Sequence, residues 1–270
     1  MNSESLCNII SSADPFKEDS MLTEERHRII LEQLKIKNVV KINELVELTN
    51  SSESTIRRDL TYLEQGKFLK RVHGGAAGLQ GKLKELTESE KTAKNIQEKM
   101  KIAQYAASLV GEGDCLFIDA GTTTYHMIDY LPEVEVVIVT NGISHVDRLL
   151  KKGFKTYLIG GMIKPTTKAM IGGSALQSLN HYRFDKAFIG INGVHHQYGF
   201  TTPDPEEAQI KKASLDLSRE AFILADSSKF GEISFSKVGD IGEAVVITNQ
   251  LEGDQIEAFQ NQRTIKVVTS

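Results

Sequence analysis

Cysteine is nearly missing: Cys7 and Cys115 are the only two in 270 residues, which leaves no disulfide framework and no cysteine-built zinc site. Apolar runs are short, and none approaches the roughly 20 residues that cross a bilayer as a helix. The opening stretch, MNSESLCNIISSADPFKEDS, has neither a basic start nor a clean apolar segment, so no signal peptide is expected. Two nucleotide signatures are lacking as well, the GxxxxGK[ST] phosphate loop and the GxGxxG dinucleotide turn. There is no internal repeat and no low-complexity segment. Nor is there a positive balance: 32 Lys and Arg face 36 Asp and Glu, a net of −4. That excludes a diffuse polycation coating nucleic acid. What remains is the composition of a soluble globular protein, 40% apolar and 25% charged, and a reduced, cytoplasmic setting is expected.

The basic residues that are present cluster. Residues 21–80 carry ten against eight acidic ones, and Ser54–Ala76, STIRRDLTYLEQGKFLKRVHGGA, carries five against two. The pattern around this stretch predicts three short helices and a hairpin. Thr23 is placed to cap the first helix, with Glu24 and Glu25 in its first turn and Ile30 and Leu34 at helical spacing. INELVELT makes the second, with Leu45, Val46 and Thr49 inward. The third starts near Ser52 and ends about Gln65, with Gly66 at its C-cap. KFLKRVHGG then reads as a hairpin closed by glycines. Together these outline a winged helix-turn-helix over residues 21–77. Residues 1–20 read as a mobile tail, and Met21 is a candidate translation start.

On a helical wheel centred on Ile56, Leu60 and Leu63 fall within about 40° and form a buried stripe. Ser54, Arg58 and Thr61 lie nearly opposite, flanked by Thr55 and Arg57. Small hydroxyls allow close approach to a major groove, and guanidinium groups bind guanine or clasp phosphate. The expected DNA-binding set is Ser52, Ser54, Thr55, Arg57, Arg58 and Thr61 on the helix, with Lys70, Arg71 and His73 on the hairpin. The plainer reading of an Arg-Arg pair is a solvated face carrying a salt bridge.

Residues 78–95 are polar and strongly charged and read as a linker, partly helical. From residue 96 to 270, short apolar runs alternate with helical stretches: CLFIDA, VEVVIVT, KTYLIGG, KAFIGING, AFILADSS, EAVVITN, TIKVVTS. That alternation predicts a larger α/β domain with a mostly parallel sheet covered on both faces. Several strands end in polar or glycine residues: Asp119, Asn141, Gly160, Gly161 and Asp226. Ligands of open parallel sheets bind beyond such strand ends. Gly121, Thr122, Thr123 and Thr124 enter a helix there, and free N–H groups with threonine hydroxyls make an anion site suited to phosphate. Singly, Gly121 is a tight turn and a threonine an N-cap. His195-His196 lacks metal-ligand spacing, and neither metal nor cofactor is expected.

LTEERHRIILEQL, TIRRDL and RVHGGA resemble the N-terminal module of the DeoR family of bacterial repressors. IDAGTTT, VTNG, LIGG, FIGINGVH, GFTTPDPEEAQIKK and LADSSKFG are similar to its sensor domain, whose fold resembles ribose-phosphate isomerase. The resemblance implies operator DNA and a phosphorylated sugar as partners, in a homodimer or homotetramer with no membrane association. It makes Asp119, Asn141, Glu207, Lys211, Asp226 and Lys229 candidates for sugar contacts or pocket shaping. The isomerase motif DGADE has no counterpart, GINGVH standing at that strand end, which implies binding without turnover; the alternative is a sugar-phosphate isomerase or related enzyme with a DNA-binding appendage. VVKINELVELTNSSESTIRRDL, YRFDKAFIGINGVH and GFTTPDPEEA look most like fructose-operon repressors of Gram-positive bacteria, which implies fructose 1-phosphate as effector.

Overall fold

The computed structural model describes residues 22–37, 39–66, 68–72, 74–78, 85–251, 255, 259 and 264–268. The expected tail, residues 1–20, and His73 lie outside them. The chain divides into two units, Met1–Gln80 and Gly81–Ser270.

In the smaller unit α1 (Thr23–Lys37) leads to β1 (Val39–Lys41), α2 (Ile42–Thr49), α3 (Glu53–Gln65), β2 (Leu69–Val72) and β3 (Gly75–Gly78). Thr23 is the first helical residue rather than the cap, and its hydroxyl accepts from Arg26 Nη2 at 3.1 Å. The α3 start matches its expected chemistry: Ser52 Oγ accepts from Thr55 N at 3.2 Å. Ile30, Leu34, Leu45, Ile56, Leu60 and Leu63 are buried together, so the stripe at helical spacing is the core. The hairpin expected after Gly66 is β2–β3, and it gains a third strand, with order β1-β3-β2 and antiparallel pairing. Gly74 turns the hairpin at φ +73°, and a side chain on Gly75 would overlap the Val40 carbonyl oxygen. β1 has three residues, too few for a periodic signal.

Asp59 holds α3 to α1. It is 5% exposed, and it accepts from Arg26 Nε at 2.8 Å, from Arg26 Nη2 at 3.2 Å, and contacts His27 Nε2 at 3.1 Å. The helix that carries the outward arginines is therefore fixed by a buried charge pair as well as by leucines.

The larger unit opens with α4 (Glu88–Thr92) and α5 (Ile96–Ala107), followed by β4 (Cys115–Ile118), α6 (Thr122–Tyr130), β5 (Val137–Thr140), α7 (Ile143–Lys151) and β6 (Lys155–Leu158). The hairpin β7 (Met162–Lys164) and β8 (Ala169–Ile171), α8 (Gly173–Leu179), β9 (Phe184–Gly190), β10 (Gly193–His195), β11 (Gly199–Thr202), α9 (Pro205–Asp216) and β12 (Ser218–Leu224) come next. β13 (Ser236–Gly239), β14 (Val245–Thr248) and β15 (Ile265–Val267) complete it. Seven strands pair in parallel in the order β15-β14-β12-β9-β4-β5-β6. Successive strand residues feed opposite cores: Phe117, Ala187, Ile189 and Ile223 on one face, and Leu116, Ile118, Phe188 and Phe222 on the other. That two-sided burial is why the strands read as continuous apolar runs.

The chain runs β4-β5-β6 outward, then returns to place β9 on the other side of β4. The switch point of the sheet therefore lies between the ends of β4 and β9, beside Asp119 and Gly190. A small antiparallel sheet, β10-β11-β13, departs from the expected helix–strand alternation.

Of the stretch expected as linker, residues 85–95 are held by this unit. Thr87 and Glu90 form a capping box for α4, and Glu88 N donates to Thr166 O at 2.9 Å. Glu85 takes Lys91 Nζ at 2.6 Å and Lys164 Nζ at 2.5 Å.

Candidate functional site

Two surfaces bring the singled-out residues together, one in each unit. On α3, the hydroxyls of Ser52, Ser54 and Thr55 bond one another, at 2.9 Å for Ser52–Ser54 and 2.8 Å for Ser52–Thr55. Arg57 is drawn to Glu53 through Nη2 at 2.5 Å, the plain salt-bridge role. Arg58 is exposed and has no ion pair among the described residues. Thr61 Oγ1 donates to Arg57 O at 2.9 Å and accepts from Arg71 Nη1 at 3.1 Å. Arg71 N also donates to Glu64 Oε1 at 2.7 Å, so the wing is tied to α3. Lys70 is exposed on the same wing. Arg57, Arg58, Thr61, Tyr62, Gln65 and Arg71 line one shallow depression. Tyr62 and Gln65 are additions to the expected set. Gln65 falls about 180° from Ile56 on the wheel, so the signal for it was present; Tyr62, 64% exposed, stacks on His27 at 5.3 Å.

In the larger unit the strand ends carry a chain of buried charges. Asp119 is 1% exposed; its Oδ2 takes Lys211 Nζ and Gly190 N at 3.1 Å, and its Oδ1 takes Asn141 Nδ2 at 3.2 Å. Asn141 Oδ1 accepts from Ala120 N at 2.6 Å. Burial alone would lower the Lys211 pKa, but Asp119 and Glu207 more than offset it and hold it above the usual lysine value. Glu207 accepts from Thr167 Oγ1 at 2.6 Å and lies 3.2 Å from Lys164 Nζ. Lys164 also meets Glu85 at 2.5 Å and Asp204 at 2.9 Å, and these carboxylates raise its pKa against the effect of burial. Asp119 is thus satisfied by Asn141, Gly190 N and Lys211, while Glu207, on α9 with Lys211, is satisfied by Thr167 and Lys164.

Asp226 forms a second group. Its carboxylate accepts from Asn95 Nδ2 at 2.9 Å and from Ser228 N at 3.1 Å, with Lys229 Nζ 4.0 Å away. Burial would raise its pKa, yet Lys229 and these donors bring it below the ordinary carboxylate value. Lys99, a residue the sequence did not flag, is buried nearby with Nζ on Lys91 O; burial pushes its pKa down to about 8 despite Asp226. Gly160 and Gly161 sit apart. Gly161 adopts φ +134°, where a Cβ would come within 2.7 Å of Ala175 and of Ile171 O, so this glycine serves the turn into β7.

A cavity of about 20 Å³ opens at the GTTT loop, room for about one water. Gly121 and Thr122 border it at the start of α6, Gly142 and Ser144 at the start of α7. Neither helix has a side-chain N-cap, and both positive helix ends border one space, with the first N–H of α7, Ile143 N, donating to Lys168 O at 3.1 Å. Ala120, His145, Thr167, Lys168, Glu88 and Lys91 complete the wall. Thr123 is buried and does not border the cavity. Thr124 was expected to face the ligand; instead it turns inward, with Oγ1 donating to Asp119 O at 2.6 Å.

His145, also unflagged by the sequence, is buried beside the cavity, and burial pushes its pKa down to about 4, which keeps it neutral. Thr124 Oγ1 spends its single proton on a carbonyl, so at 3.2 Å His145 Nε2 is assigned as the donor to that oxygen. Nδ1 is left as a bare acceptor with no partner among the described residues, and the Ser144 hydroxyl likewise has no partner among them. Nδ1 faces Gly142, where a Cβ would lie 2.6 Å from it. Chemically the wall offers helix-start dipoles to an anion, with two lysines beside it that are each paired to a carboxylate, Lys91 to Glu85 and Lys168 to Glu88, and one acceptor for a hydroxyl.

The comparisons agree with this division of the chain. Residues 26–80 match the DeoR-like helix-turn-helix domain, and residues 94–250 match the DeoR C terminal sensor domain. A Bacillus subtilis (strain 168) protein described as an uncharacterized HTH-type transcriptional regulator, FruR, is 52% identical over 249 residues, 92% of this chain and 99% of that one. The lactose phosphotransferase system repressor of Staphylococcus epidermidis is 36% identical, covering 82% of this chain and 90% of its own. Among solved structures, ribose 5-phosphate isomerase A of Methanocaldococcus jannaschii matches at 19% identity with a TM-score of 0.39, over 51% of this chain and 55% of that one.

Proposed function

The chain belongs to the DeoR family of helix-turn-helix transcriptional regulators, and from that premise we propose that it represses a sugar-catabolism operon and is released by a phosphorylated sugar, with fructose 1-phosphate as the effector. A relative named as the repressor of a lactose phosphotransferase system supports the sugar link, and the FruR relative supports fructose. In this reading the protein is a regulator and catalyses nothing. Arg58, Thr61 and Gln65 enter the major groove, while Lys70 and Arg71 hold backbone phosphates. A homodimer or homotetramer presents two such helices to a two-fold operator.

The effector's phosphate binds at the paired starts of α6 and α7, on Gly121 and Thr122, with Lys91 and Lys168 as counter-charges. Its sugar hydroxyls reach His145 Nδ1 and the strand ends at Asn141, Asp226 and Lys229. The observation that carries this is the cavity wall itself: two helix starts without side-chain caps, two lysines and a buried histidine with an unpartnered acceptor around one space.

The test is a thermal-shift panel of phosphorylated and free sugars. A ligand at a hundred times its Kd stabilises by about 2.7 kcal/mol. Fructose 1-phosphate is expected to raise Tm at millimolar concentration and fructose is not. A shift of equal size with free fructose would remove the phosphate from the account.

A further inference from the structure

The cavity at the α6 and α7 starts already has an anion at its edge. Glu88, the first residue of α4, lines it, and Glu88 Oε2 is 3.0 Å from Lys168 Nζ. That oxygen is buried and takes no aligned hydrogen bond. The cavity has room for about one water, so a phosphate enters only if part of the wall withdraws. Three sides of the wall are the α6 start, the α7 start with buried His145, and the β7–β8 turn at Thr167 and Lys168, which is held by Thr167 Oγ1 to Glu207 and Ile143 N to Lys168 O. The fourth side is α4, a helix of five residues none of which is buried.

We propose that Glu88 is a built-in competitor for the effector's phosphate: its carboxylate occupies the anion field of Lys168 and the two helix starts, and the incoming phosphate displaces it together with α4. This rests on the reading of the cavity as the phosphate site. The charges favour exchange, because a phosphate dianion gains more from the same dipoles and lysines than a single carboxylate does. The remaining holds on α4 include the Glu88 N bond to Thr166 O, the Lys91 bond to Glu85 and the bond from Lys99 Nζ to Lys91 O, all of which the phosphate must outweigh. Lys91 itself lines the cavity, so a phosphate also draws on it and weakens its tie to Glu85. α4 is the first described element after the wing strand β3 in sequence, so its release changes the segment that joins the sensor to the DNA-binding unit. Glu88 then sets the effector concentration at which that change occurs.

The experiment compares wild type, Glu88→Gln and Glu88→Ala by calorimetric titration with fructose 1-phosphate and, separately, with inorganic phosphate. Circular dichroism melts check that each variant is folded; two variants of different size are used because a packing change at residue 88 would affect them unequally. Both variants are expected to bind about tenfold tighter than wild type, the order of one charge pair plus a helix-end interaction. Hydrogen exchange at residues 88–92 is expected to rise in wild type on adding ligand, and to be high in both variants beforehand. If wild type binds and both folded variants bind equally or more weakly, the competitor role is overturned while the phosphate site stands. If no form binds phosphosugar or phosphate, the site reading falls and this inference falls with it.

Discussion

Lys211→Met costs the larger unit about 3–5 kcal/mol of stability, the usual loss when one member of a buried charge pair is removed. Asp119 is 1% exposed and Lys211 is 5% exposed, so neither charge is repaid by water. Without the ammonium, Asp119 keeps only Gly190 N and the Asn141 amide, and Glu207 loses a second nearby cation besides Lys164. The substituted methionine fits the volume, so the loss measures charge and not a cavity. Replacing both partners, Lys211→Met with Asp119→Asn, is expected to recover much of the loss, because the stranded charge is gone. The chain has no tryptophan, so urea unfolding is followed by circular dichroism. A single-variant cost below about 1 kcal/mol, typical of a solvated pair, would contradict the burial argument.

Arg26→Ala is expected to weaken operator binding strongly, although Arg26 does not touch DNA. It removes two of the bonds to Asp59 and leaves that carboxylate, 5% exposed, facing His27. The cost is roughly 3 kcal/mol, at the lower end for a broken buried pair. A unit of this size is stable by only about 3–8 kcal/mol, so a loss of about 3 takes a large part of that margin and α3 undocks far more often. The larger unit folds around its own cores, and its melt is expected to stay where it was. Adding Asp59→Asn to Arg26→Ala should return part of the DNA affinity. If Arg26→Ala leaves both the small-unit melt and operator binding unchanged, Asp59 does not anchor the recognition helix.

Asp59 also shows where the sequence stops being legible. Ile56, Leu60 and Leu63 announce their burial by spacing alone, and Ser52 announces the helix start by its chemistry. Asp59 sits between Arg58 and Leu60 and looks like a surface acid; its partner is 33 residues away, and no local pattern points to Arg26. The parallel strands were readable because both faces are buried, and the polar residues at their ends marked the switch point. The antiparallel β10-β11-β13 sheet was not, since its strands of three and four residues carry no period. The strand ends themselves were found, but not how they are wired: Lys211 reaches Asp119 across 92 residues, a pairing that the α9 sequence alone does not encode. Thr124 was grouped with its neighbours because three threonines in a row look alike, yet one turn of helix points its hydroxyl back at the β4 end. Glu88 and Lys91 were hidden by charge. A dense polar stretch resembles linker, and only the fold shows that it closes a cavity.

The most direct test of the central claim is operator release. A duplex selected from a random pool by the protein itself is labelled, and anisotropy is followed at fixed salt, since affinities for DNA have no meaning without it. Fructose 1-phosphate is predicted to lower the anisotropy of the wild-type complex to that of free DNA, while the same concentration of fructose leaves it bound. Release by fructose at equal concentration, or retention of the complex at saturating concentrations of every phosphosugar tried, would contradict the account.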